Sequence, residues 1–221
     1  MHNNYIEKLL KEIIKIEEKT MKKYDAFYNK KFSGWDSDDI IELKVDYLNN
    51  CQGIKAFAHF SYNCEYFHVC LMTIEKNYIS AEKGRLGSPS LDSCLEFFFS
   101  PCNDGRYINI EFNSNGCAYI GIGSGIHDLI RLIPEESIEQ LFSYVIKTNM
   151  FGWEISYKIS FEFIRRLFQD FNIDKTSEMR ANFYKCCENK NNTHFLSWNR
   201  VNSKNFTFHS PADFGLIKFK K

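Results

Sequence analysis

The sequence predicts an all-β fold, an antiparallel β-sandwich of jelly-roll type, with an N-terminal amphipathic helix and one short helix near residues 161–171. Three observations predict it. After Trp35, short runs rich in aromatic and β-branched residues recur at regular spacing, the pattern of a sandwich or barrel. Polar punctuation separates them, as in Asn103-Asp104-Gly105 and Ser114-Asn115-Gly116, where residues that tolerate positive φ favour hairpin turns. The first two dozen residues instead repeat their apolar side chains with a helical period.

In that first segment Ile6, Leu9, Leu10, Ile13 and Ile14 form one stripe, spaced i, i+3, i+4, i+7, i+8. Asn3 or Asn4 can cap the helix, and Glu7–Lys11 and Glu18–Lys22 are four apart on its polar side. Residues 1–24 therefore read as a helical extension and 25–221 as the sandwich domain. The stripe has to bury against the domain or against a second copy of the chain, so a homo-oligomer built through this helix is one expectation. Strands are expected at 40–47, 54–61, 66–75, 91–100, 107–113, 117–122, 143–148, 153–159, 179–185, 195–199 and 215–218. Ser160 can cap the second helix, whose apolar face is Phe161, Ile164, Leu167, Phe168 and Phe171.

Composition narrows the function. In 221 residues, Lys+Arg 28 equals Asp+Glu 28. Binding nucleic acid through phosphates needs a basic excess, so no such partner is expected. No run of about 20 apolar residues exists to span a membrane, and no charged-apolar-small pattern marks an export signal. The eight cysteines contain no C-x-x-C pair and several lie within apolar runs. They read as free thiols in a reducing compartment, so the expected location is the cytoplasm, with an extracellular site as the alternative. Gly121-Ile-Gly123-Ser-Gly125 lacks the Lys-Ser/Thr ending of a phosphate loop and reads as a flexible strand-end loop.

Alternation tells which side chains share a sheet face. Asp92, Cys94, Glu96 and Phe98 share one; Asn109 and Glu111 share another; Arg180, Asn182 and Tyr184 a third. A face rich in Asn, Tyr and carboxylates suits a saccharide, whose hydroxyls need both donors and acceptors and whose C–H face needs an aromatic platform. Trp198, in Ser197-Trp198-Asn199, is the best platform, while Trp35 and Trp153 read as core residues.

The run from Asp92 to Pro101, then Tyr107–Asn113 with Gly116, then Arg180–Cys186, Ser197-Trp198-Asn199, Phe208-His209-Ser210-Pro211 and Phe214-Gly215 resembles the carbohydrate-binding family 9-like proteins, from about Trp35 to Phe219. The resemblance implies a DOMON-like sandwich of two antiparallel sheets, of the kind appended to xylanases. It also implies two tryptophans that sandwich a terminal sugar, a Glu on an acidic strand with Arg and Asn on the next, and structural calcium. Glu96 matches the acidic-strand Glu and Trp198 the C-terminal Trp. Asn109 and Glu111 occupy the next strand's positions, with different residue types. The first tryptophan has no counterpart in Gly87–Leu91, and Tyr78 is the nearest aromatic. Asp36, Asp38 and Asp39 are the carboxylate-rich stretch weighed for calcium.

The expected function is non-catalytic saccharide binding by Trp198, Glu96, Asn109, Glu111, Arg180 and Asn182. Three alternatives compete with it: a protein-interaction scaffold with a degenerate sugar site, a glycoside hydrolase pairing Glu96 with Glu111 or Asp92, and a haem site drawn from His59, His68, Met72 and His209.

Overall fold

The computed structural model describes residues 21–29, 34–35, 39–102, 104–203 and 206–220. The expected N-terminal stripe lies outside the described residues, as do Asp36 and Asp38. Among the described residues the strands are β1 (Lys23–Phe27), β2 (Ile41–Glu42), β3 (Val45–Asp46), β4 (Lys55–Tyr62), β5 (Tyr66–Ile74), β6 (Cys94–Ser100), β7 (Tyr107–Asn113), β8 (Ala118–Gly123), β9 (Ile130–Arg131), β10 (Val145–Asn149), β11 (Gly152–Ser160), β12 (Glu178–Cys187), β13 (His194–Ser197) and β14 (Gly215–Lys220). The helices are α1 (Ile138–Phe142) and α2 (Phe161–Leu167).

The strands form the two sheets of a sandwich. The larger runs β1-β14-β12-β6-β7-β8-β9. β12 is long enough to pair β14 through its first residues and β13 through its last, on the same edge, and β3 adds beyond β13. The smaller sheet runs β10-β11-β5-β4-β2. Every pairing between these strands is antiparallel except β1 with β14.

Pleat parity builds the core. Leu95, Phe97 and Phe99 of β6, Ile108, Ile110 and Phe112 of β7, and Ala181 and Phe183 of β12 point inward, onto Phe60, Phe67, Val69, Leu71, Ile155 and Tyr157 of the smaller sheet. Phe97 stacks on Phe183 at 4.7 Å and on Phe99 at 4.9 Å. Each fully buried aromatic of this kind contributes about 1.5–3 kcal/mol. Ser160 caps α2 as expected, its Oγ accepting from the Phe163 N–H at 3.1 Å. Phe161, Ile164, Phe168 and Phe171 then pack into the core.

The sequence reading is corrected at three places. Lys23 and Tyr24, assigned to the helical extension, pair with Leu216 and Ile217 as part of β1, so the sandwich begins before residue 25. The strand expected at 40–47 divides: β2 pairs β4 in the smaller sheet and β3 pairs β13 in the larger. α1 was not expected, although Ser137 and Gln140 form a reciprocal capping box there.

Candidate functional site

The outward face of the larger sheet carries the polar residues that alternation grouped. A single cross-strand row runs Tyr184 on β12, Glu96 on β6, Glu111 on β7 and Tyr119 on β8. The next row holds Cys186, Cys94 and Asn113, with Phe195 of β13 beyond Cys186. The chain between Trp198 and Gly215 folds back over this face. Its Val201, Phe208 and Phe214 form a second apolar cluster with Phe98, Tyr107 and Tyr184, and Phe208 stacks on Tyr184 at 4.0 Å.

What the returning chain leaves open is a cleft of about 370 Å³, within the usual range for small-molecule sites. Glu96, Glu111 and Cys186 form its floor. Tyr119 walls it on the β8 side, and Phe195, Phe206 and Phe208 wall it on the β13 side. Ser88, Pro89 and Ser90 close the end where the resemblance placed a first tryptophan, and Glu188 stands at the rim, accepting from the Ser90 hydroxyl at 2.9 Å. Among the described residues, no Lys or Arg lines it.

The floor is buried and lined by carboxyls. Glu96 is 3% exposed and Glu111 7%. Burial, with a smaller contribution from the nearby Glu188 charge, raises the Glu96 carboxyl to about 7. Burial also raises Glu111, well above the usual carboxylate range, with Glu96 the next cause. Like charges at directly paired positions resist joint ionisation. Glu96 accepts from the Cys186 thiol at 2.8 Å and Glu111 from the Asn109 amide at 2.7 Å. Asn109 lies flat because its cross-strand partner is Gly121, where a Cβ would meet Asn109 Oδ1 at 2.2 Å. Gly121 and Gly123 are thus strand residues of β8, not the flexible loop expected. Tyr119 is braced from behind by the Arg131 guanidinium, 4.7 Å from its ring centroid, which also donates to the carbonyls of Arg85, Leu86, Gly87 and Ala118. His209 also lines the cleft, with Nδ1 2.7 Å from the Tyr107 hydroxyl, and burial lowers it to about 4, so it is neutral at physiological pH.

Of the six residues expected to bind, the structure brings Glu96, Glu111 and Asn109 together. It places the other three elsewhere. Trp198 is in the core: its ring meets Phe183 edge-on at 5.9 Å and lies over Gly215, where a Cβ would come within 2.5 Å of it. Asn182 is fully buried and clamps the returning chain, donating to Asn199 O at 2.9 Å and accepting from Asn199 N–H at 2.9 Å. Arg180 lies opposite Ser100, four residues beyond Glu96, about 13 Å along the strand at ~3.3 Å per residue. It donates to Ala212 O at 3.3 Å and faces a different groove, of about 600 Å³, shared with Lys23 and Lys218. Tyr78 packs against the core rather than the cleft. Phe195, Phe206, Phe208 and Tyr119, which replace the tryptophans as aromatic walls, were missed. Of these only Phe208 stands in the Phe208-His209-Ser210-Pro211 motif, and nothing in the sequence shows that the chain doubles back there.

The other candidates are also dispersed. His59 and His68 lie in β4 and β5 of the smaller sheet, far in topology from His209, so the set weighed for haem does not converge. Asp92 is satisfied by the N–H groups of Ala81 and Glu82 and by the Asn113 amide. Among the described residues, the one group of three His, Cys, Asp or Glu side chains close enough for a metal is Cys94, Glu96 and Cys186. Two sulfurs and one carboxylate do not suit calcium, which takes six to eight oxygens. All eight cysteines are free thiols, and among the described residues no helix is long and apolar enough to cross a membrane.

Comparison with known proteins agrees with this architecture. A candidate carbohydrate-binding protein from Bacteroides uniformis superposes with a TM-score of 0.74 at 22% identity, covering 90% of this chain and 100% of that one. A family 9 carbohydrate-binding module from Caldicellulosiruptor kristjanssonii, solved with cellotriose, superposes with a TM-score of 0.63 at 13% identity over 90% of this chain and 94% of that one. The same module solved with glucose gives 0.63 and 13%, over 90% and 96%. No curated protein matches. Residues 67–219 match carbohydrate-binding family 9, and by that match the chain belongs to carbohydrate-binding family 9.

Proposed function

We propose that the chain binds a neutral or amino saccharide, as a glycan end or short oligosaccharide, in the cleft over Glu96 and Glu111, without catalysis. The observation that carries this reading is the floor row itself: two carboxyls between aromatic walls, in a cleft sized for a small ligand, with Glu111 oriented by the buried Asn109 amide. The floor carboxyls supply acceptors, and donors where protonated, for sugar hydroxyls. Tyr119 and Phe206 supply faces for the C–H side of the ring.

Charge selects within the sugars. Glu96, Glu111 and Glu188 line the cleft, and among the described residues no Lys or Arg lines it. Uronates and sulfated sugars would bring an uncompensated anion into a buried site, whereas a neutral hydroxyl or a sugar ammonium would not. Binding without hydrolysis follows from placement. A glycosidase needs its two carboxyls to flank the scissile bond, one protonated and one ionised. Here both belong to one floor, at paired positions of adjacent strands, and both are biased toward the protonated form by burial.

Calorimetry with glucose, glucosamine, glucuronate and cello- and xylo-oligosaccharides tests the reading. Neutral or amino sugars should bind and glucuronate should not. Phe206→Ala should weaken binding by about five- to tenfold, corresponding to ~1 kcal/mol for one lost stacking surface. No heat from any sugar, or equal binding of glucuronate, overturns it.

A further inference from the structure

The floor of the cleft also gathers two thiols that saccharide binding does not use. Cys94 and Glu96 are two apart on β6 and therefore share its outward face, and Cys186 stands directly across from Cys94 on β12. Two strands thus deliver two sulfurs and one carboxylate to one point. Their ligand atoms all lie within 4.8 Å of one another, and the Cys186 sulfur is 2.8 Å from Glu96 Oε1. A tetrahedral zinc ion with bonds of about 2.0–2.3 Å holds its ligand atoms roughly 3.5–4 Å apart, so small side-chain rotations close the set around one ion.

We infer that Cys94, Cys186 and Glu96 form a binding site for a thiophilic divalent cation of the zinc class, with its fourth position open to the cleft. The donor set fits that class, since thiolate sulfur selects zinc and its congeners over magnesium or calcium. Access fits as well: Cys186 and Glu96 line the cleft, whereas Cys94 lies beneath it. Glu188 at the rim gives the approach a negative potential. On binding, each thiol releases its proton to solvent, and Glu96 releases whatever proton it carries. Two thiolates and one carboxylate then surround the M²⁺ ion, for a net charge of −1. The inference does not depend on the saccharide reading, and its test uses no sugar.

The experiment is titration of the full chain, stripped of metal and kept reduced by a phosphine, with Co²⁺ as the probe and Zn²⁺ as competitor. One Co²⁺ per chain should bind with thiolate-to-cobalt charge-transfer absorption, and Zn²⁺ should abolish that band. Cys94→Ser and Cys186→Ser should each lose it, while Cys64→Ser, which removes an exposed thiol elsewhere, should leave it unchanged. If the serine variants fail to fold, Glu96→Gln serves, with both thiolates retained and affinity lower by about tenfold or more. Absence of the band, its survival in both serine variants, or unchanged affinity in folded Glu96→Gln overturns the assignment.

Discussion

Glu96 and Glu111 stand directly opposite each other on β6 and β7, and both are buried. That relationship makes stability depend on pH with a definite sign. In the unfolded chain each carboxyl has the ordinary glutamate value of 4.5, whereas in the folded chain burial raises both, Glu96 to about 7. Between these values the folded state holds protons that the unfolded state has released. The pair's contribution is therefore fully retained below the unfolded value and falls as pH rises through the folded one. The buried histidines oppose this: burial lowers His68, His194 and His209 to about 4, so their contribution grows as pH rises toward the usual histidine range. Urea melts from about pH 5 to about pH 8 should thus be compared between the wild type and Glu96→Gln. The variant should lose less stability, or gain more, as pH rises across that range. Parallel curves would show that the pair does not titrate in this window.

Trp198 tests the cleft against the core. Trp198→Ala should cost about 3–5 kcal/mol, because the indole fills the space that Gly215 leaves open beside Phe183. Phe206, 45% exposed on the cleft wall, should show the reverse profile: truncation to Ala within about 1 kcal/mol of wild-type stability but with weaker sugar binding. Chemical denaturation of both variants decides it, and a Trp198→Ala protein as stable as the wild type would place the ring outside the core.

These two aromatics show what was legible in the sequence. Period-two alternation assigned Glu96, Asn109 and Glu111 to the outward face, since each lies between core residues such as Phe97 and Ile110. The same rule, applied to Leu196-Ser197-Trp198, puts Trp198 inward with Leu196, which is 4% exposed, while the Ser197 hydroxyl meets Tyr47 at 2.6 Å on the other side. The polar setting of Ser197-Trp198-Asn199 points to a platform and local parity points to the core; the structure follows parity. The aromatic walls were not legible. Phe206 and Phe208 have no periodic neighbours, and their place is fixed by contacts distant in sequence, such as the Asn182 clamp on Asn199 and the Phe208 stack on Tyr184.

Gly121 carries a third prediction. A Cβ there would meet the Asn109 side chain at 2.2 Å, so Gly121→Ala must displace the amide that donates to Glu111. The expected cost is about 1–3 kcal/mol, with sugar affinity reduced in the protein that remains folded. Adding Asn109→Ala removes the obstructing amide. The double variant should therefore lose less stability than the sum of the two single changes. Simple additivity would mean that the two side chains do not compete for the same space.

The inward parity of β12 predicts a hydrophobe at 185, yet Lys185 is there, fully buried. Its ammonium lies 3.1 Å from Glu75 Oε2 and 2.7 Å from His194 Nε2, and donates to Cys186 O at 2.8 Å. All three of its protons are placed. Glu75 in turn accepts from Ser93 Oγ at 2.5 Å and from the Asn192 amide at 3.3 Å, and Ser93 accepts from the Trp153 indole at 2.9 Å. The network ties the smaller sheet to the larger directly behind the cleft floor, since Cys186 follows Lys185 on the same strand. Removing one partner leaves the other charge buried and unpaired, so Lys185→Met or Glu75→Gln should each cost about 3–5 kcal/mol. Replacing both with apolar residues removes the desolvation cost along with the attraction. Glu75→Leu/Lys185→Met should therefore be more stable than either single variant, and a double-mutant cycle by urea denaturation measures the coupling. Single variants within about 0.5 kcal/mol of wild type would show that the ammonium and carboxylate are not held together in the interior.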